Sequence, residues 1–400
     1  MSDHGEHRMA VAGIAGGVAA SSSKSQVAET TAIRFLATEL EWNAPHVQQA
    51  WRRLLRETAN PNVLFASPEW FENKHKTKRE ELRVAVVENG AKIAAVAPIL
   101  LGQKKFDLKF RQMRFRTAQV LGGEGLMREE MYEPLFQQIF QTFEDVDAIH
   151  FRLLPIESPC WKAVQSSRAG WVHVHNQFKM YFLDLPKTFD EYLAVRFDSK
   201  HRGNLKRRVK VLGEQGELRL QRITAPEDVP EFLRAGGQVA RASWQAAKAD
   251  YLIKETPEWN AYLSDLARRG LLRSYLLWSG SKPCAYELGF QGGGYYYGSL
   301  TGYDSSMAKY SPGTVILLLT IEDLMQHDPP ERLNFGEGED EYKREFATSA
   351  AGVANVTMLR RSGMGSLRAT VFGAYRSLRT LKQSRDVAAA KEAHSSGKTI

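Results

Sequence analysis

Apolar positions are most sharply patterned between Leu271 and Phe346. Leu271–Trp278 (LLRSYLLW), Pro283–Phe290 (PCAYELGF) and Tyr295–Gly302 (YYYGSLTG) are short apolar runs separated by Gly-containing turns. Such runs predict a meander of three strands. Ser311-Pro312-Gly313-Thr314 then opens the apolar run VILLLTIEDLM, and Ser, Pro and Gly at that point mark the start of a helix. Arg332–Phe335 reads as a further strand and Glu341–Phe346 as a further helix. This order sets a helix N-terminus beside strand ends, where free backbone amides can hold a diphosphate.

The first half follows a similar plan. Ile33–Leu36 begins a strand, and Ala44–Glu57 spaces Val47, Ala50, Trp51, Leu54 and Leu55 helically. Ser67-Pro68-Glu69-Trp70 reads as a helix start. Leu82–Val87 and Lys92–Leu101 are strands joined by Asn89-Gly90, a hairpin signal, and Phe106–Phe115 reads as one continuing strand. Helices over Glu130–Phe143 and Trp161–Arg168 flank a strand at Ala148–Leu154, and Trp171–Val174 and Lys179–Leu185 close the half. Phe189–Leu212 reads as a long helix interrupted near Gly203, followed by a strand at Leu218–Ile223 and helices over Glu227–Trp244 and Trp259–Arg269. The element order is duplicated between the halves without a residue-level repeat.

A chain of 400 residues exceeds one ordinary core, so two domains are expected. No apolar run approaches the ~20 residues that span a bilayer. Met9–Ala20 is mostly Ala and Gly and reads as part of a flexible arm, with a secretion signal as the minority alternative. Cys160 and Cys284 fall in different expected domains and give neither a disulfide framework nor zinc-ligand spacing, which fits a reducing cytoplasm and no metal site. The formal net charge of +8 suits an anionic partner, a description met by CoA, tRNA, acidic glycans and lipid headgroups alike.

Three motifs occur in order along the second half: Ser199-Lys200-His201-Arg202 at the start of a basic helix, Ser311-Pro312-Gly313, and Tyr342-Lys343. With the element order, they resemble the CelD-type branch of the acyl-CoA N-acyltransferase (GNAT) superfamily, relatives of the FemAB aminoacyl ligases, over roughly Met180–Leu359. The resemblance implies an α/β fold of two tandem GNAT-like domains, with mixed, mostly antiparallel sheets flanked by helices. The expected divisions are a disordered arm at 1–30, GNAT-like domains at 31–180 and 181–362, a basic helix at 363–385 and a disordered tail at 386–400.

The resemblance also implies site residues. Ser311, Gly313 and Thr314, with Lys309 nearby, stand where GNAT proteins hold the CoA pyrophosphate, although Ser311 replaces a Gly and Pro312 lacks an N–H; the other reading is a plain helix cap. Tyr342 stands where many GNAT enzymes protonate the leaving thiolate, a role helped by a lowered pKa. Glu287, mid-strand, is a candidate general base if desolvated, or an outward-facing acid by strand alternation. Asp304 and Glu337 lie at strand ends, where each could bind an acceptor or cap a turn. Arg202, Lys206 and Lys210 share one side of the basic helix; Lys200, Arg202 and Lys206, with Lys343, are candidates for substrate binding, the other reading being solvated surface. Lys104–Arg116 interleaves bases with Phe106, Phe110 and Phe115, read either as a nucleic-acid stacking surface or as a half-buried strand. The basic segment 360–385 suits either an anionic membrane surface or packing on the second domain.

The function implied is acyl transfer from acyl-CoA (acetyl-CoA) to an amine or hydroxyl on a sugar-linked or cell-envelope acceptor. Two further readings stand beside it: transfer from aminoacyl-tRNA, and a non-catalytic accessory role in polysaccharide biosynthesis.

Overall fold

A computed structural model describes residues 32–78, 81–90, 92–108, 111–243 and 253–361. The arm at 1–30, the basic helix at 363–385 and the tail at 386–400 lie outside the described residues. The first half runs β1 (Ala32–Leu36), α1 (Glu39–Trp42), α2 (Pro45–Glu57), a 3-10 turn at Val63–Ala66, α3 (Pro68–Lys78), β2 (Glu81–Asn89), β3 (Lys92–Leu108), β4 (Arg111–Val120), α4 (Tyr132–Thr142), β5 (Ala148–Pro155), α5 (Pro159–Ser166) and β6 (Gly170–Asp184). The second half runs α6 (Phe189–Arg196), α7 (Ser199–Gly213), β7 (Leu218–Ile223), α8 (Val229–Ala242), α9 (Pro257–Arg268), β8 (Ser274–Ser279), β9 (Lys282–Gly292), β10 (Tyr295–Tyr303), a 3-10 turn at Ser305–Tyr310, α10 (Pro312–Gln326), β11 (Arg332–Asn334), α11 (Glu341–Phe346) and β12 (Ser349–Arg360).

Among the described residues twelve strands form one mixed sheet, in the order β1-β2-β3-β4-β5-β12-β6-β11-β10-β9-β8-β7. Each half carries a single parallel pair, β4 with β5 and β10 with β11, and the remaining pairs are antiparallel. The last strand of each half sits next to the fifth strand of the other: β12 pairs with β5, and β6 pairs with β11. Between them β12 and β6 pair along the whole of Ser349–Arg360. The halves therefore exchange strands at the centre of the sheet.

Helices cover both faces. In the second half, α6, α7, α10 and α11 pack on one face around Tyr192, Leu205, Val315 and Phe346. On the other, α8, α9 and the first-half residues Leu64 and Trp70 pack around Phe232, Leu266 and Phe290. Helix α10 is apolar on nearly every side and is buried accordingly, with Val315, Ile316, Leu318, Ile321 and Leu324 all in the core. Its C-terminal end is fixed by Arg273, which is 4% exposed. The guanidinium donates to the Tyr275 hydroxyl (2.8 Å), the Gln291 side chain (2.7 Å), and the carbonyls of Asp328 (2.8 Å) and Asp323 (3.2 Å). A cation suits the helix C-terminus, and the lock at that end fixes where the other end points.

Three local expectations are corrected. Phe106–Phe115 is not one strand, because β3 and β4 pair antiparallel out to Leu108 and Arg111; no Gly, Pro or Asn in the sequence marks the reversal. The long helix breaks at Phe197 rather than near Gly203, since Asp198 caps α7 by accepting from the His201 N–H at 2.7 Å. Arg360 is not free for a membrane surface: it donates to the carbonyls of Val146, Phe140 and Phe143 at the end of α4. Among the described residues no helix is long and apolar enough to cross a membrane.

Arg273→Ala would strand the carbonyls of Asp323 and Asp328 in the core, while Arg222 and Tyr275 still hold the Asp323 carboxylate. It is expected to cost about 2–4 kcal/mol in denaturant unfolding, whereas Lys200→Ala on the exposed face of α7 should fall within about 0.5 kcal/mol of the parent.

Candidate active site

The parallel pair β10–β11 is only three residues long, from Tyr295–Tyr297 against Arg332–Asn334. Beyond it the strands part. The β10 register shifts between Gly298 and Leu300, the irregularity expected of a bulge. Gly336 turns the other chain away at φ 74°. A Cβ on Gly336 would lie 2.3 Å from the Gly298 carbonyl oxygen, so only glycine fits there. The opening is the waist of a cleft of about 1860 Å³ that reaches both faces of the sheet and is lined by residues of both halves.

Glu287 stands at this waist. It is 6% exposed and lines the cleft, which settles the alternation question in favour of an inward carboxylate. Its Oε1 accepts from the Tyr296 hydroxyl at 3.0 Å. Gly298 leaves open space beside it, since a Cβ there would stand 3.2 Å from Oε1. Burial pushes its pKa up to about 7, with the Tyr296 hydrogen bond opposing. A carboxyl so placed can accept a proton near neutral pH.

Tyr342 and Lys343, on α11, also line the cleft. The expected lowering of the Tyr342 pKa is not found. Burial and then the nearby charges of Glu287 and Asp340 raise it. The phenol stays protonated and can donate, and its acidity is tied to the charge on Glu287. Lys343 is 4% exposed, donates to the Glu337 carbonyl and lies 3.5 Å from the Asp340 carboxylate. Burial lowers its pKa, against the pull of Asp340 and Glu337. The Glu337 carboxylate pairs with Arg152 of the first half, tying the loop after β11 across the sheet junction.

At the start of α10, Ser311 takes a left-handed conformation at φ 56°. Ser311, Gly313 and Thr314 line the cleft. The N–H groups of Thr314 and Val315 both donate to the Ser311 carbonyl, at 3.0 and 3.1 Å. Pro312 has none, so among the described residues the Gly313 N–H is the first-turn amide left for an anion. A further base of the basic helix reaches this turn: Arg208 donates to the Thr314 hydroxyl at 3.2 Å. Its position is implicit in the sequence, because Leu205, Arg208, Val209 and Leu212 share a helical face.

Other expected site residues are not brought to the cleft. Asp304 caps the turn after β10 by accepting from Ser306 and pairs with Lys282 at 2.7 Å. Burial pushes its carboxyl up, but these partners outweigh it and hold the carboxyl below the usual range. Lys309 lies over the Tyr310 ring at 4.8 Å. Arg202 donates to the Phe197 carbonyl at 2.7 Å, securing the start of its own helix. Lys200 and Lys206 are exposed on α7. On the first-half strand, Phe115 is buried, and the other aromatics there, Phe106 and Phe110, lie outside the side chains described.

Residues 199–344 match the family model described as Acetyltransferase (GNAT) domain. The structure is similar to the crystal structure of FemX, with a TM-score of 0.59 at 10% identity, covering 80% of this chain and 98% of that one. It is also similar to a conserved protein of unknown function from Bacteroides thetaiotaomicron VPI-5482, with a TM-score of 0.51 at 10% identity, covering 82% and 100%. No curated protein matches the chain in sequence. The class is thus a GNAT-like α/β fold with a GNAT-type acetyltransferase domain in its second half. The share of FemX covered extends the likeness in architecture over both halves.

A buried carboxyl with a folded pKa near 7 against an ordinary value of 4.5 favours folding while it is neutral and opposes it once ionised. Its contribution is therefore full below about pH 4.5 and is lost as pH rises through 7. Glu287→Gln should leave stability at pH 4 nearly unchanged and raise it by roughly 3 kcal/mol at pH 8, as read by denaturant unfolding at the two pH values.

Proposed function

We propose that the chain is a CelD-type GNAT acyltransferase that moves an acyl group from acyl-CoA, acetyl-CoA in the first instance, to an amine or hydroxyl of a sugar-linked or cell-envelope acceptor. The observation that carries this reading is the Glu287 carboxylate, desolvated at the opening between β10 and β11, with Tyr342 lining the same cleft and within reach of its charge.

In this reading Gly313, Thr314 and Arg208 hold the donor diphosphate at the α10 N-terminus, and the pantetheine passes between the parted strands. The acceptor nitrogen or oxygen attacks the thioester carbonyl while Glu287 takes its proton. The carbon–sulfur bond then breaks, and the departing thiolate takes the proton of Tyr342. The two proton transfers help one another. When Glu287 becomes neutral, the charge that raised the Tyr342 pKa disappears, and the phenol becomes the better donor as the thiolate forms. Tyr342 regains its proton from solvent and Glu287 returns one.

A second donor, aminoacyl-tRNA, is favoured by one observation: the first turn of α10 offers a single free amide, a thin cradle for a diphosphate, while Lys206, Arg207 and Lys210 stand exposed on α7. Calorimetric titration with acetyl-CoA and, separately, with unfractionated aminoacyl-tRNA distinguishes the two donors.

With acetyl-CoA and a panel of amines and amino sugars, Glu287→Gln is expected to lower kcat on the order of 10²–10⁴-fold with little change in the KM for acetyl-CoA. Tyr342→Phe should also lower kcat, and most where the amine is a poor nucleophile. Undiminished turnover in Glu287→Gln would remove the general-base assignment.

A further inference from the structure

We propose that Tyr296 is a positioning residue, whose buried hydroxyl clamps one oxygen of Glu287 and leaves the other turned to the cleft as the proton acceptor. This inference rests on Glu287 being the general base. Tyr296 lies on β10, where its register partner on β9 is Gln291, four residues beyond Glu287. To reach the carboxylate its ring must run along β9, over Gly289. The backbone makes room for it: a Cβ on Gly289 would lie 2.1 Å from the Tyr296 hydroxyl oxygen and 2.4 Å from the ring carbon that bears it. A glycine in a fully buried central strand is costly, and its position is accounted for by the passage of this phenol.

Tyr296 is completely buried, and its hydroxyl donates to Glu287 Oε1 at 3.0 Å. No described side chain donates to Oε2, and Glu287 lines the cleft, so the two oxygens are unequal: one is held and one is available. The same bond fixes the carboxylate plane, which otherwise could rotate about its last torsion in the widened strand gap. It also sets the proton affinity, since donation to the ionised form favours that form.

The test needs no substrate. The carboxylic acid carbonyl band of Glu287 is followed by difference infrared spectroscopy across pH in the full chain and assigned by its loss in Glu287→Gln. The parent should titrate near pH 7. Tyr296→Phe should move the midpoint up by roughly one unit, the tenfold that a hydrogen bond to a charged group is worth. The acid limb of acetyl-CoA turnover should move with it, while KM for acetyl-CoA stays put. Fluorotyrosine at 296, a stronger donor that keeps the hydroxyl, should move the midpoint down, which preserves the test if the Phe variant folds poorly. An unmoved midpoint in both variants would overturn the clamp and leave the general base standing. Full turnover in Glu287→Gln would instead overturn the base, and the positioning role with it.

Discussion

The site depends on two strands that cannot stay together. Parallel pairing of β10 and β11 lasts three residues, and then the Gly298 carbonyl and the Gly336 backbone come too close for any side chain between them. From that point β10 and β11 make no further pairs among the described residues, and the strand edges facing the gap line the cleft in the middle of a sheet. Such backbone is costly unless solvated or bonded, so the opening is where water or a ligand must enter. The residues proposed to act line the cleft around it: Glu287 on the adjacent strand, Tyr342 on the helix that follows β11, and Gly313 and Thr314 at the α10 N-terminus.

The electrostatics follow from the same opening. Glu287 is held in a desolvated place by one hydrogen bond rather than an ion pair, which leaves its affinity for a proton near neutrality. Asp304 shows the contrast. Only seventeen residues away, it is paired with Lys282 and bound by Ser306, and its carboxyl is held down instead. The two acids thus differ in both respects, one deeply desolvated with a neutral partner and the other held by a cation. A cation beside Glu287 would hold its carboxyl down and be at odds with the proposed role as a base, whereas Tyr296 is a neutral donor.

Much of the architecture was legible in the sequence because it is carried by local signals. The meander over Leu271–Gly302, the Ser-Pro-Gly start of α10 and the Asn89-Gly90 hairpin each have a turn or cap that announces them. What could not be read depends on distant parts of the chain. The strand β12 was not picked out, because SAAGVANVTMLR has little alternation and is stabilised by β5 and β6, laid down some two hundred residues earlier. The candidate base Glu287 was visible as an acid in an apolar strand, but alternation set it opposite Tyr286 and Leu288 and read that face as outward, whereas both faces of β9 are covered. The Tyr296 contact was invisible in a run of three tyrosines. Asp304 and Arg202 carried the right charge in plausible places, yet both are spent on local backbone and ion-pair bonds that only the folded geometry discloses.

The duplicated plan is open on one side only, and the difference lies in backbone rather than in side chains. In the first half β4 and β5 also pair in parallel, from Thr117 to Val120 against Ala148 to Phe151. There the chain leaving β4 does not swing away. The Leu121 N–H donates to Pro98 at 2.9 Å, and Leu126 exchanges hydrogen bonds with Val96 at 2.7 and 3.1 Å. Gly122 and Gly123 pass so close to Ala66 and to the carbonyls of Arg152 and Leu153 that a Cβ would lie 2.7 to 2.9 Å away. The segment lies against β3 through its own amides, and Leu121, Gly122 and Gly123 line the cleft. In the same half Asn62, Gln119, Arg152 and Asn176 form part of the wall. Strand exchange through β6 and β12 joins that wall to the sheet that carries Glu287, so the cleft is built from both halves.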